Sequence, residues 1–204
     1  MDIFQQVGFS IYTREEVFRL EGPQPAGTIN TDLHLRPRQG KDSWALRQLY
    51  SAVTPRLVQQ AEGMIANQHE ALPPGWEGGW GQEVFVWQNQ RGDIVGSIQI
   101  RRGTLGHWLR LHLHPQAEGH APEVIAQGLA LLNSYPSRPV YCSVREYQGY
   151  LCPVLEAHGF EPFASQVLMV KHTTVRVKQP LRKLVPALEK RAEVTTPTVG
   201  QRID

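Results

Sequence analysis

A chain of 204 residues, 41% of them hydrophobic, is long enough for one domain of about 150 residues with extensions or for two small ones, and apolar enough for one substantial core. It holds no run of about 18 apolar residues, and Met1-Asp-Ile-Phe-Gln-Gln has neither the basic start nor the apolar stretch of a secretory signal, so a soluble, cytoplasmic protein is expected. The net charge of +2 is carried by the tail, where Lys178, Arg182, Lys183, Lys190, Arg191 and Arg202 outnumber Glu189, Glu193 and Asp204; the body is not basic, which argues against a broad nucleic-acid surface.

Residues 1–20 contain Gly8-Phe9, Tyr12 and Val17-Phe18, which superimpose without a gap on Gly159-Phe160, Phe163 and Leu168-Met169. That is an internal repeat. Residues 21–32 are rich in Gly and Pro and read as a linker. Leu33-His-Leu-Arg-Pro37 alternates as a strand, Asp42 or Ser43 caps a helix with Leu46, Leu49, Tyr50 and Val53 on one face, and Thr54-Pro55 starts a second helix to about Glu62. Residues 69–82 are irregular, with Trp76 and Trp80 expected to cover the sheet edge or to line a substrate pocket. Glu83 to Gln88 and Ile94 to Arg101 flank a turn at Gly92-Asp93, forming a hairpin.

Residues 108–114 then alternate around Leu109, Leu111 and Leu113, and Val124, Ile125, Leu129 and Leu132 recur at helical spacing over residues 122–132. Strand passes to helix through Gln116-Ala-Glu-Gly119-His-Ala121. A helix start leaves backbone N–H groups without intrahelical partners and carries partial positive charge, so this junction suits a phosphate. Pro122 fits the first helical turn but lacks one such donor. After the breaker at residues 133–139, Val140 to Val144 reads as a strand, Gln148 to His158 as a helix stopped by Gly159, and residues 160–177 as two strands. The basic tail, residues 178–204, has no sustained apolar period and is expected to be flexible. Cys142 and Cys152 lie on predicted regular elements and are expected as buried, reduced thiols.

Gln116-x-x-Gly119-x-Ala121, between that strand and that helix, resembles the Gln/Arg-x-x-Gly-x-Gly/Ala loop of the GNAT family of N-acetyltransferases. The order strand, helix, helix, three strands, helix, strand, helix, two strands over residues 33–177 matches that family too. The resemblance implies an α/β (α+β) fold: a mixed, mostly antiparallel sheet of about seven strands flanked by helices. It implies acetyl-CoA as co-substrate, no metal, and a small-molecule or peptide amine as acceptor. Gln116, Ala117, Gly119, His120 and Ala121 would hold the pyrophosphate, and the backbone of Leu111 and Leu113 would meet the thioester where the sheet opens.

In that family a Gly-Phe pair closes the last helix and opens the terminal strands. Residues 1–20 therefore resemble the closing hairpin of a preceding GNAT domain in a tandem architecture, which would seek a sheet edge in its own domain or in a homodimer. The family's usual Glu base falls at Leu109 and its usual Tyr acid at Leu155. The candidates left are His112 as base and Tyr150, or its neighbour Tyr147, as acid. His112 and His114 share a strand face, but no third metal ligand has recognisable spacing. Two readings follow from the resemblance: an active N-acetyltransferase, or a catalytically degenerate GNAT domain with a structural, regulatory or acyl-CoA-sensing role.

Overall fold

The structure, a computed structural model, describes residues 2–22, 33–63, 79 and 81–171. Trp76, Trp80, most of the expected linker, residues 172–177 of the expected last strand and the basic tail lie outside the described residues. The elements run α1 (Asp2–Gln6), β1 (Phe9–Leu20), β2 (Leu35–Pro37), α2 (Ser43–Val53), α3 (Arg56–Gly63), β3 (Gln82–Gln88), β4 (Ile94–Arg102), β5 (His107–Leu113), α4 (Ala121–Leu132), β6 (Val140–Arg145), α5 (Leu151–Ala157) and β7 (Glu161–Lys171). Seven strands make one sheet in the order β2-β3-β4-β5-β6-β1-β7, antiparallel throughout except where β5 lies parallel to β6.

Period-two alternation divides this sheet into two unlike faces. Opposed residues across an antiparallel ladder share a face, so the register sets Phe85, Ile98 and Leu111 on one side and Val86, Ser97 and His112 on the other. The first side is apolar: Ile98, Ile100, Leu109, Leu111 and Leu113 pack with Val124, Ile125 and Leu129 of α4 and Leu151 and Leu155 of α5. Each such side chain, 0–3% exposed, contributes about 1.5–3 kcal/mol relative to leaving it in water. The second side is mixed: Val86 packs with Leu46 and Leu49 of α2, and Val84 and Val17 are buried there too, but among them stand buried polar and charged side chains including Ser97, Gln99, His112, Arg145 and Glu15.

Local chemistry fixes the ends. Asp42 accepts from the Gln39 backbone N–H at 2.7 Å and takes both guanidinium nitrogens of Arg36 at 2.7 and 2.9 Å, which ties β2 to the start of α2. The β3–β4 turn closes on Asn89, whose side-chain oxygen accepts from the N–H groups of Arg91 and Asp93, with Gly92 at φ +86°.

Residues 1–20 differ from the expected hairpin. Residues 2–20 form one short helix and one 12-residue strand, β1, which is hydrogen-bonded on both sides within this sheet, from Glu15↔Arg145 to Leu20↔Val140 on β6 and from Phe9↔Lys171 to Arg19↔Glu161 on β7. Phe18 and Leu20 are buried in the main core, which is why the strand pairs here rather than with a neighbouring turn. The internal repeat is structural: two residues after α1 stands Gly8 (φ +87°) and two residues after α5 stands Gly159 (φ +83°), each releasing the chain into a strand, and the two strands lie antiparallel to each other. Two strands were expected from residues 160–177; residues 161–171 are a single strand whose described partner is β1.

Candidate functional site

The site begins where two strands part. β5 and β6 pair only at His107↔Val140, Trp108↔Tyr141 and Leu109↔Cys142. Beyond that level β5 stays laddered to β4, but its other edge has no strand beside it among the described residues. Backbone groups on such an edge need partners. Gln148, 3% exposed, donates its side-chain N–H to the Leu111 carbonyl at 2.8 Å, and its side-chain oxygen accepts from the Arg145 N–H at 3.4 Å. Tyr150 takes a hydrogen bond from the Leu113 backbone; burial, followed by the Glu118 carboxylate, raises its phenol above the usual tyrosine range, against the pull of that backbone group. Side chains from the approach to α5 thus stand where a strand would lie.

On the polar face of the same strands a charged cluster is assembled. Glu15, on β1 opposite Arg145, lies 2.7 Å from the Arg145 Nε and 3.6 Å from Arg110; Arg145 Nη2 donates to Glu62 at 3.0 Å, and the Tyr50 hydroxyl donates to Glu62 at 2.6 Å. Burial alone would pull the Arg145 guanidinium down, but the carboxylates of Glu62 and Glu15 outweigh it and raise its pKa. His112 is buried on this face, and burial, reinforced by the positive charge of Arg110 and Arg145, drives its pKa well below the usual histidine value. Its ring is therefore neutral at neutral pH.

His112 and Tyr150 flank the opening from opposite faces: His112 points with Ser97 to the α2 side, while Tyr150 packs against the α4 core cluster. Tyr147 is held above the usual tyrosine range by burial and sits near Arg145 and Thr54. Leu109 and Leu155, at the family's usual base and acid, are both core residues at 1% and 0% exposure. Arg110, Arg145, Glu15, Glu62 and Gln148 had no site role in the sequence reading, where Glu62 and Gln148 only marked helix ends. The available signal was charge inside alternating strands, at residues 15, 110 and 145, where a buried strand would otherwise carry none.

The expected phosphate loop is wound more tightly than a loop. Pro115–His120 forms a 3-10 turn running straight into α4, in which the Ala117 N–H is held by the His114 carbonyl at 2.7 Å, the Gln116 N–H by the His114 ring at 3.3 Å and the Ala121 N–H by the Glu118 carbonyl. Gln116, Gly119 and His120 are exposed, whereas Ala117 and Ala121 are buried beneath them. No atom comes within 4 Å of where a Gly119 side chain would begin. His114 caps this turn, and no group of three or more His, Cys, Asp or Glu side chains among the described residues is placed to hold a metal ion. Cys142 is buried, which pushes its thiol up to about 12, and Cys152 is half-buried; both are free. No described helix is long and apolar enough to cross a membrane.

No family model matches this chain, and no curated protein matches it. Solved structures do. The chain is similar to a functionally unknown conserved protein from Staphylococcus epidermidis, at 13% identity and a TM-score of 0.55 over 83% of this chain and 65% of that one. It is similar to a putative acetyltransferase of the GNAT family from Novosphingobium aromaticivorans, at 14% identity and 0.55 over 81% and 69%. A GCN5-related N-acetyltransferase from Sphaerobacter thermophilus aligns at 16% identity and 0.51 over 83% and 55%. The chain spans less than two thirds of the length of the first and last of these. At such identities the likeness establishes architecture alone: this seven-stranded mixed sheet flanked by helices is the acyl-CoA N-acyltransferase fold of the GNAT proteins.

Proposed function

We propose that this chain is an N-acetyltransferase that moves an acetyl group from acetyl-CoA to the amine of a small-molecule or peptide acceptor. The observation that carries the reading is the parting of β5 and β6 after Leu109↔Cys142, which leaves the backbone of Leu111 and Leu113 bonded to exchangeable side chains rather than to a strand. A co-substrate with amide groups along its arm fits that edge once Gln148 and Tyr150 turn away. Gly119, His120 and the start of α4 are the groups proposed to face its phosphates. Acetyl-CoA, when bound, supplies an activated thioester. His112, neutral at neutral pH, is the proposed acceptor of the amine proton, directly or through water. Tyr150, protonated at neutral pH, is the proposed donor to the departing sulfur.

A second reading has its own support. Gln148 and Tyr150 already satisfy Leu111 and Leu113, and Leu109 and Leu155 bring no acid or base, as in a degenerate domain that senses acyl-CoA without turnover. Acetylation of an amine panel by wild type, His112→Gln and Tyr150→Phe separates the two. Turnover that falls about 10²–10⁴-fold in each variant supports the enzyme. Acetyl-CoA binding without turnover by wild type supports the sensor.

A further inference from the structure

A cavity of about 180 Å³ opens on the polar face at the point where β5 and β6 part, and is lined by Gln82, Gln99, Arg101, Trp108, Arg110 and Ser143. Its chemistry is one-sided. Arg101 and Arg110 bring two guanidiniums, and no carboxylate lines it among the described residues. Arg101 is exposed and makes no ion pair among the described residues, and the nearest described carboxylate to Arg110, Glu15 at 3.6 Å, is drawn more closely to Arg145 at 2.7 Å. Gln99 is only 6% exposed, yet its side-chain N–H group has no hydrogen-bond partner among the described residues. A buried donor left unmade is costly, and native structures rarely retain one without a ligand or water to receive it. Ser143 accepts from the Arg110 Nε at 3.3 Å, which leaves its hydroxyl proton to be donated. Arg101, Arg110, Gln99 and Ser143 can thus each donate into this space.

We propose that this cavity seats the oxyanion of the acceptor, so that the acceptor is a small amine carrying a carboxylate or phosphate on the same molecule. The proposal rests on the acyltransferase reading above and narrows its substrate class. Size agrees: about 180 Å³ is the room of roughly six waters, enough for one acid group and part of an alkyl chain. Trp108, 40% exposed and stacked on Tyr141 at 5.0 Å between ring centres, offers an apolar wall for that chain. His112 lies two residues further along β5 from Arg110, roughly 7 Å at the rise of a strand. An acid in the cavity and an amine at His112 are thereby separated by several bonds, as in an ω-amino acid.

The test is calorimetric titration of wild type and Arg101→Gln with 6-aminohexanoate, 6-aminohexyl phosphate and hexylamine, beside a titration with acetyl-CoA. Arg101 is exposed, so the variant keeps the fold. At least tenfold tighter binding of one or both acids than of hexylamine, lost in Arg101→Gln while hexylamine is unchanged, is the expected result, and the preferred acid tells carboxylate from phosphate. Equal binding of all three probes, absence of binding by all three, or a preference that survives Arg101→Gln overturns the proposal. Acetyl-CoA binding with no acid preference sinks this site and leaves the acyltransferase reading intact; an Arg101-dependent acid preference without acetyl-CoA binding does the reverse.

Discussion

Gln148 and His112 hold the two sides of the opening in β5, and each makes a measurable claim. Gln148 bonds the Leu111 carbonyl that a bound co-substrate would take. Gln148→Ala should therefore tighten acetyl-CoA binding up to about tenfold, while lowering the stability of the free protein by about 1 kcal/mol, the net value of one hydrogen bond. Calorimetry and thermal unfolding on the same variant check both signs; weaker binding would mean that Gln148 helps hold the co-substrate. His112 has a depressed pKa in the folded chain, so the unfolded state binds its proton more tightly. Its contribution to stability is complete above the unfolded value near 6.5 and is lost as pH falls below it. Unfolding followed from pH 7.5 to 5 should show wild type losing up to about 1.4 kcal/mol per pH unit more than His112→Gln. Parallel slopes would contradict the burial of this ring. The residues that alternation predicted were those facing the α4 core. Arg110, Arg145 and Glu15 were legible only as anomalies, since pattern reading assigns charge to solvent, and here charge faces inward against partners up to 130 residues away.

At the scale of elements, α4 is the piece on which the site depends, because its start carries the Gln116–Ala121 turn and its length crosses β4 and β5. Gly128 permits that crossing: a Cβ there would stand 2.2 Å from Ile98 Cδ1, at the centre of the apolar face. Gly128→Val should destabilise by about 1–3 kcal/mol through overpacking, read in denaturant unfolding, and an unchanged midpoint would show that α4 sits further from the sheet than described. Strands β3, β4 and β5 and helices α2, α3 and α4 lie where alternation, caps and turn residues predicted them, because each is specified by its own local pattern. The turn before α4 was less legible. Loop chemistry at Gln116-Ala-Glu-Gly suggested open N–H groups, whereas Pro115 and the His114 cap wind the segment into 3-10 geometry that already occupies several of them.

The whole molecule is closed by its first strand. β1 lies between β6 and β7, supplies Glu15 to the charged cluster and Phe18 to the core, and separates β7 from the rest of the sheet if removed. Nothing local in residues 9–20 announced this, because its register is set by pairing across 120 or more residues of chain. Only the Gly8-Phe9 repeat of Gly159-Phe160 pointed to a strand that matches β7. Deleting residues 2–20 should abolish cooperative unfolding and leave the chain largely insoluble. A soluble product with an unchanged melting temperature would refute the placement of β1.

The most direct measurement of the central claim, that the opening in β5 and the turn before α4 form an acyl-CoA site, is calorimetric titration of wild type and Gly119→Glu with acetyl-CoA. Gly119 is exposed with open space around it, so a glutamate adds negative charge at the proposed phosphate position without disturbing the core. Micromolar binding by wild type that is lost in Gly119→Glu, with both proteins unfolding at the same temperature, is the predicted result. No binding by wild type, or equal binding by both, would contradict it.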